Sequence, residues 1–319
     1  MTSVARWAEV HRLAVAGRDA AIARDVGGRV GGVWLARSRF TDVTRLAGLT
    51  LTLGEDARAL YQLGWAKHST GDRDAALAAY GQALHLYREA DDRDNQAGTL
   101  NNIGEAYRGL GQHHRALEYY EQALSIHREI GNRAGEATTL NNIGLVHHSR
   151  GEPQRALEFY EKALPIRRQV GDRAGEAATL NNIGGVYRGL GELRRVLEYL
   201  GRALPIHREI GNRAGEATAL NNIGAVYNRL RKPQRALEYY EQALPIRQQV
   251  GDRAGEAVTR YNIAMIHRAL GELSQAVAEL EQVVELDRLV SRPDLSSDTE
   301  MLHCVRQELA NSNRAPGSP

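Results

Sequence analysis

Pairs of adjacent asparagines recur at a constant spacing of forty residues, and they are the residues best suited to contact another chain. The pairs are Asn101-Asn102, Asn141-Asn142, Asn181-Asn182 and Asn221-Asn222, and a further copy keeps only Asn262. An asparagine amide offers both a hydrogen-bond donor and an acceptor, which matches one peptide unit of an extended chain. The recurrence therefore predicts a regular series of amides able to grip a peptide backbone.

The sequence offers little support for catalysis or metal binding. The adjacent pairs His113-His114 and His147-His148 would point about 100° apart on a helix, so neither chelates one ion as i, i+4 partners do. The glycine-rich segment 27–32 lacks the lysine and Ser/Thr of a phosphate-binding loop. The apolar neighbours of Cys304 predict burial. We expect a protein that is not an enzyme and needs no cofactor and no metal.

Composition and charge restrict the class of partner. The 319 residues include 41 Lys and Arg against 39 Asp and Glu, and a formal net charge of +2 gives no indication of a nucleic-acid partner. A single cysteine excludes an intramolecular disulfide and favours the cytoplasm. No signal peptide or membrane-spanning stretch is recognisable, so no membrane contact is expected. We expect a monomer or a weak homo-oligomer.

The elements that must position the asparagines are pairs of helices. In one copy, small and apolar residues recur at i, i+3, i+4 and i+7 from Leu140 to His147, which predicts a first helix, helix A, over about 133–150. Asn132 is suited to cap this helix, and Pro153 is suited to the first turn of a second helix, helix B. Units of this size bury their apolar faces by stacking on one another, so the repeat predicts an all-α solenoid.

The angular position of each residue on helix A separates the core from a candidate binding surface. Stepping 100° per residue places the second asparagine of each pair almost opposite the core and the first to one side. The copies differ most on this open side, while Glu118 and Glu158 of helix B stay fixed. The predicted peptide contacts are therefore the nine asparagines together with Trp65, Arg108, Arg188, Asn228, Arg229 and Arg268. The arginines suit acidic side chains or a terminal carboxylate.

Small and large residues follow the order of the tetratricopeptide repeat. One copy runs Leu100, Ile103, Gly104, Tyr107, Ala116, Tyr120 and Ala123, and another runs Leu220, Ile223, Gly224, Tyr227, Ala236, Tyr240 and Ala243. Over residues 58–290 the chain resembles this family, and its period resembles the branch of kinesin light chain, the Leu-Gly-Asn-rich polarity adaptors and bacterial regulators. The resemblance implies a right-handed superhelix of antiparallel helix pairs, with asparagines that hold a peptide backbone in its concave groove.

The chain outside the clear repeats forms end segments. We expect a degenerate helical N-terminal cap over 1–57, six repeats over 58–290, a C-terminal capping helix over 291–310 and a disordered tail over 311–319. A capping box is predicted at 297–300, in front of the last helix. Because an interior proline removes a backbone hydrogen bond, Pro165, Pro205 and Pro245 predict a kink or early break in helix B that is absent at Ser125.

Two functions are compatible with this pattern. The first is a non-catalytic scaffold that binds a peptide segment of another protein through the asparagine series. The alternative is a sensor or regulatory arm of a bacterial signalling or transcription-control system, in which ligand binding compacts the superhelix. A structural role also stays open, because the amides could bond across repeats and the variable side chains could pack on neighbouring helices.

Overall fold

Sixteen helices and no strand make up residues 3–314, which are the residues that the computed structural model describes. The all-α class is therefore as predicted. The chain divides between Val170 and Gly171 into two compact units. None of the described helices is both long enough and apolar enough to cross a membrane.

The first unit ends at Val170, and its described part contains nine helices. They are α1 Ser3–Ala16, α2 Ala20–Leu35, α3 Phe40–Leu51, α4 Ala57–Ser69, α5 Arg73–Glu89, α6 Arg93–Gly109, α7 His113–Glu129, α8 Arg133–Ser149 and α9 Pro153–Gln169. Three helices thus precede the first pair of the repeating series, α4 and α5. The apolar side chains of Trp7, Val10 and Leu13 on α1 are exposed to solvent.

The second unit begins at Gly171, and its described part contains seven helices. They are α10 Arg173–Gly189, α11 Leu193–Glu209, α12 Arg213–Arg229, α13 Pro233–Val250, α14 Arg253–Ala269, α15 Leu273–Val290 and α16 Leu295–Arg314. The contacts are most extensive within the pairs α10–α11, α12–α13 and α14–α15, as they are within α4–α5, α6–α7 and α8–α9 of the first unit. Each helix A therefore packs on the helix B that follows it.

Local chemistry at the helix ends explains the constant register. The side chain of Asn132 accepts a hydrogen bond of 2.8 Å from the backbone N–H of Gly135, which satisfies one free donor at the start of α8. Asp172 caps α10 in the same way. Gly131 ends the preceding helix with a φ of +69°, in the left-handed region that glycine occupies without steric cost. Helix A consequently starts at the same point of each forty-residue copy.

A close contact between glycine and tyrosine holds most pairs together. Tyr160 of α9 is fully buried against Gly144 of α8, where a Cβ atom would lie 2.6 Å from the ring. Gly104 with Tyr120 and Gly224 with Tyr240 repeat this arrangement. The absence of a side chain on helix A is therefore what admits the aromatic ring. The pair α10–α11 differs, because Leu200 occupies the tyrosine position.

The predicted early break of helix B at the internal prolines is wrong. Both α9, which contains Pro165, and α11, which contains Pro205, are 17 residues long, as is α7, which has Ser125 instead. An interior proline removes one backbone hydrogen bond, but Leu164 and Ile166 on either side of Pro165 are buried in the packed pair. Their burial keeps the chain helical through the proline.

The C-terminal helix, α16, begins and ends at residues other than those predicted. It begins at Leu295, and Ser297 uses its hydroxyl to donate to the backbone carbonyl of Asp294 at 2.8 Å, so the predicted capping box at 297–300 is wrong. The helix continues to Arg314, which contradicts disorder for residues 311–314, while residues 315–319 lie outside the described part. Leu302 and Val305 are buried against the last pair, which this helix covers.

Candidate functional site

The second asparagine of each pair marks one side of helix A, which we call the amide face. It is defined separately in each unit: in the first it is the side of α6 and α8 that carries Asn102 and Asn142, and in the second it is the side of α10, α12 and α14 that carries Asn182, Asn222 and Asn262. All five side chains are half-buried rather than fully exposed. They stand less far into solvent than the angular prediction suggests, because a helix A lies beside the next one within a unit, as α6 does beside α8 and α12 beside α14.

In the first unit, these asparagines link neighbouring helices A. Asn102 donates from Nδ2 to the hydroxyl of Tyr61 on α4 at 2.9 Å, and Asn142 donates from Nδ2 to Oδ1 of Asn101 at 3.3 Å. Each bond uses one of the two amide hydrogens. Oδ1 of Asn102 and Oδ1 of Asn142 accept no hydrogen bond from any residue in the described part of the chain. Those two oxygens keep their capacity for a ligand.

The first asparagine of the pair has a structural role in two of the copies, where its side chain is hydrogen-bonded to the next helix A. Oδ1 of Asn101 accepts from the hydroxyl of Thr139 at 3.2 Å, and Oδ1 of Asn221 accepts from Thr259 at 3.2 Å. Asn141 and Asn221 are buried, with 7% and 9% of their surface exposed. Asn101 and Asn221 therefore join one helix A to the next, as the structural alternative for the asparagines predicts.

Asn181 departs from this pattern. Its Nδ2 lies 3.1 Å from Nε2 of His207, but its buried Oδ1 has no hydrogen-bond partner among the described residues. The hydroxyl that binds Asn101 comes from Thr139, and the residue at the corresponding place for Asn181 is Ala219. The missing hydroxyl therefore explains the unsatisfied oxygen.

Arginine occupies the same position on three helices A, and the three side chains differ in whether a carboxylate pairs with them. Arg108 donates from Nε to Oε2 of Glu105 at 2.9 Å, and Arg268 donates from Nε to Oε2 of Glu308, on α16, at 3.0 Å. Burial raises the pKa of Glu105, but its hydrogen bonds with Arg108 and Tyr120 outweigh this effect and leave the pKa below its usual value. Arg188 is exposed and has no ion-pair partner within residues 3–314, because Gly185 of α10 occupies the position that Glu105 has on α6.

The remaining predicted side chains lie at the surface. Trp65 is 44% exposed and packs edge-on against Tyr61, with ring centroids 6.1 Å apart. Asn228 and Arg229, at the end of α12, are exposed. The structure thus gives the amide face aromatic, cationic and amide groups that solvent reaches.

A small cavity opens on the second unit where Leu200 replaces tyrosine. Its volume is about 40 Å³. The lining consists of Asn181, Gly184, Gly185, Arg188, Val196, Leu200 and Asn222. It therefore brings together three of the residues that the sequence predicts as peptide contacts, namely Asn181, Arg188 and Asn222.

The histidine and cysteine candidates carry no binding site of their own. His147 is buried and stacks on Phe159 with centroids 5.3 Å apart, which matches its predicted place in the core. Cys304 is exposed, so its predicted burial is wrong, and its Sγ lies 3.6 Å from Oε1 of Glu308. No group of three or more metal-ligating side chains occurs in the described range.

Comparison of the sequence with protein families identifies the repeating unit. The model of the tetratricopeptide repeat family matches residues 95–169, 159–209 and 215–288, and a second model of the same repeat matches residues 57–89. The chain belongs to the tetratricopeptide repeat family. A search of curated proteins finds no match.

Solved structures share the fold of these tetratricopeptide repeats at low sequence identity. A signal transduction ATPase with a tetratricopeptide repeat sensor, from Pyrococcus horikoshii, is 18% identical with a TM-score of 0.73, over 90% of this chain and 44% of that one. A Rap protein complexed with competence and sporulation factor is 16% identical with a TM-score of 0.57, over 97% and 98%. Kinesin light chain-like repeats from Podosopora anserina are 18% identical with a TM-score of 0.51, over 61% and 96%. The resemblance to kinesin light chain repeats and to a Rap protein is thereby confirmed at the level of the fold.

Proposed function

We propose that this tetratricopeptide repeat protein is a non-catalytic interaction module that binds a peptide segment of another protein on its amide face. The observation that carries the proposal is the free hydrogen-bonding capacity of that face. Asn222 and Asn262 make no hydrogen bond within residues 3–314, and Oδ1 of Asn102 and of Asn142 is likewise unused. Half-burial restricts the rotamers of these amides, which lowers the entropic cost of binding.

The spacing of the amides suits an extended ligand. Packed helices lie roughly 8–10 Å apart, and an extended peptide advances about 3.3 Å per residue. One amide per helix A would therefore meet about every third residue of the ligand. A backbone N–H of the ligand would donate to the asparagine Oδ1, and a backbone carbonyl would accept from Nδ2.

The test uses the two amides that have no intrachain hydrogen bond. We expect the double variant Asn222→Ala and Asn262→Ala to weaken a selected peptide by roughly tenfold or more, because each lost hydrogen bond contributes about 1 kcal/mol. Peptides would be selected from a random library of dodecamers, and their Kd measured by fluorescence polarisation. The melting temperature should stay unchanged.

A matched control places the same kind of change on helix B. Glu198→Ala and Glu238→Ala remove exposed side chains of α11 and α13 and should leave the affinity within twofold. Equal binding by the asparagine double variant and the wild type would contradict a role for the amides. No selected peptide at all would contradict the proposed function.

A sensor or regulatory arm is the second candidate. It is supported by the fold shared with a repeat array that is described as the sensor of a signal transduction ATPase. In this case the bound peptide would change the compaction of the array, which small-angle scattering with and without the selected peptide would detect. An unchanged radius of gyration at saturation would favour the passive scaffold. The single cysteine supports a cytoplasmic location for either role.

A further inference from the structure

Three departures from the repeat meet in one place on the second unit. Leu200 stands where four of the other helices B have Tyr80, Tyr120, Tyr160 and Tyr240, and it faces Gly184, whereas Leu280 of the last helix B follows a helix A with Ala264 in place of the glycine. Ala219 stands where other helices A have Thr139, Thr179 and Thr259. Gly185 is the smallest residue at a position otherwise held by Trp65, Glu105, Leu145, Ala225 and Met265. Each change removes a side chain or a functional group from the same neighbourhood, and each has a separate physical effect.

The first effect is space. Tyr160 fills the gap against Gly144, where a Cβ atom would lie 2.6 Å from the ring. At Gly184 the nearest atom to such a Cβ would be Cδ2 of Leu200 at 3.4 Å. The shorter side chain leaves the cavity of about 40 Å³. Its volume exceeds the roughly 10–15 Å³ that one water needs, and it suits a small side chain.

The second effect is an unsatisfied acceptor. Oδ1 of Asn181 is buried without a hydrogen-bond partner in the described residues, whereas Oδ1 of Asn101 accepts from Thr139. A buried polar group that lacks its partner costs about 1–3 kcal/mol. Asn181 lines the cavity, so a donor that enters the cavity would recover this energy.

The third effect is an unpaired cation. Arg188 also lines the cavity, and it is exposed and without an acidic partner in the described part of the chain. Arg108 and Arg268, at the same position of their own repeats, are neutralised by Glu105 and Glu308. A guanidinium binds a carboxylate through two parallel hydrogen bonds, which makes a carboxylate its preferred ligand.

We infer that the pair α10–α11 contains the specificity pocket of the protein, which takes a small side chain next to a carboxylate from an acidic peptide. This inference rests on the proposed function. The small side chain enters the cavity beside Leu200, the adjoining N–H donates to Oδ1 of Asn181, and the carboxylate binds Arg188. The carboxylate comes either from an Asp or Glu side chain or from the C-terminus of the partner.

Two peptide libraries distinguish the two sources of the carboxylate. The first contains random dodecamers with acetylated and amidated ends, in which Asp and Glu supply every carboxylate. The second omits Asp and Glu and keeps a free C-terminus. We expect wild-type protein to enrich peptides from one library, with Ala, Ser or Thr beside the carboxylate.

Variants that restore the features of the sibling repeats test the pocket itself. Gly185→Glu recreates the acid that neutralises Arg108, and Leu200→Tyr fills the cavity with the residue of the other pairs. Each should weaken the enriched peptide by about tenfold or more, while the melting temperature stays within a few degrees because the sibling repeats tolerate both residues. Ala219→Thr supplies the hydroxyl for Asn181 and should weaken binding about fivefold. Ala225→Glu, one repeat further on, is the control and should change affinity less than twofold.

The possible results separate the pocket from the general function. If the enriched peptide binds Gly185→Glu and Leu200→Tyr as tightly as wild type, the pocket holds only water and the inference is wrong, although peptide binding stands. If the enriched peptides show no preference for a carboxylate, the inference is also wrong. If neither library yields a peptide, both the pocket and the proposed function fail.

Discussion

At the scale of single residues, the role of a repeated side chain depends on what its neighbour contributes. Asn101 and Asn181 occupy the same position, yet Thr139 satisfies the first and Ala219 leaves the second with a free oxygen. The same dependence governs the glycines of helix A, because the residue opposite decides whether a methyl group fits. Near-identical copies thus differ in chemistry through changes that lie on another helix.

Two glycine substitutions measure this dependence. Gly144→Ala should destabilise the protein by about 1–3 kcal/mol, because its Cβ would lie 2.6 Å from the buried ring of Tyr160. Gly184→Ala meets only Leu200, at 3.4 Å, and should be neutral or stabilise by up to about 1 kcal/mol through helix propensity. Urea denaturation of both variants provides the comparison. Equal destabilisation would show that the tyrosine contact is not the cause.

A backbone position offers a second test at this scale. Arg231 follows the end of α12 and has a φ of +58°, which is in the left-handed region. The corresponding residues of two other copies are Gly151 and Gly191, with φ of +73° and +75°. Arg231→Gly should therefore stabilise the protein by roughly 0.5–1 kcal/mol in urea denaturation. Gly191→Arg is the reciprocal control and should destabilise it by a similar amount. Changes of the same sign in both variants would be inconsistent with this explanation.

At the scale of elements, α16 is the helix whose attachment depends on ionisable groups. Asp287 of α15 is fully buried and accepts from Nη1 of Arg292 at 2.8 Å. Asp298 of α16 is also buried, and its burial together with the nearby carboxylate of Asp287 raises its pKa to about 6. A carboxyl group in this environment favours its protonated form in the folded state.

The raised pKa has a defined consequence for stability. The folded state binds this proton more tightly than the unfolded chain, in which the pKa of an aspartate is near 4. The contribution of Asp298 to the free energy of unfolding therefore falls as pH rises from about 4 to about 6, and it is constant above pH 6. Asp298→Asn should remove this component and stabilise the protein by on the order of 1 kcal/mol at pH 7. Urea denaturation at pH 4, 5, 6 and 7 measures the difference from wild type.

The control for this titration lies on the exposed side of the same helix. Glu300→Gln removes an exposed carboxylate there, and its stability is measured at the same pH values so that an effect specific to Asp298 can be recognised. A pH-independent difference between Asp298→Asn and wild type would contradict the raised pKa.

The sequence predicts elements well where local chemistry determines them. The expected helix over 133–150 corresponds to α8 Arg133–Ser149, because its cap, its terminal glycine and its apolar stripe all lie within the copy. The prolines and the start of α16 were mispredicted because tertiary packing, which a local pattern does not contain, decides them. Arg268 pairs with Glu308, which lies one period of forty residues further on but beyond the recognisable repeats, where the residue type at this position no longer follows the pattern. The changes at Gly185, Leu200 and Ala219 are readable in the sequence, but their convergence on one cavity requires the structure.

At the scale of the whole molecule, the pattern of contacts is the informative property. Within each unit, all substantial contacts of the described residues join helices that are adjacent or second neighbours in the chain. Each unit is therefore stabilised by its repeats and by the interfaces between neighbouring repeats. A local defect should therefore remain local.

Hydrogen exchange tests this expectation. A Cβ atom at Gly224 would lie 2.8 Å from the ring of Tyr240, so Gly224→Ala should raise amide exchange in α12 and α13 and, less strongly, in α11 and α14. Exchange in α4 to α7 should stay as in wild type. Mass spectrometry of peptic fragments gives the comparison. A uniform increase across both units would mean that the protein unfolds as one cooperative body.

The constant register of the helices also bears on how such a chain changes over generations. Helix A begins at Arg133, Arg173 and Arg213, so unequal crossing-over between gene copies that removes or adds forty codons would preserve every cap. Array length would then vary between descendants without loss of foldability. Recombination with a breakpoint between Leu200 and Ala219 would, however, separate Gly185 and Leu200, which line the cavity, from Ala219, which leaves the oxygen of Asn181 unsatisfied. Selection for its ligand should consequently disfavour exchange at that junction while tolerating it elsewhere.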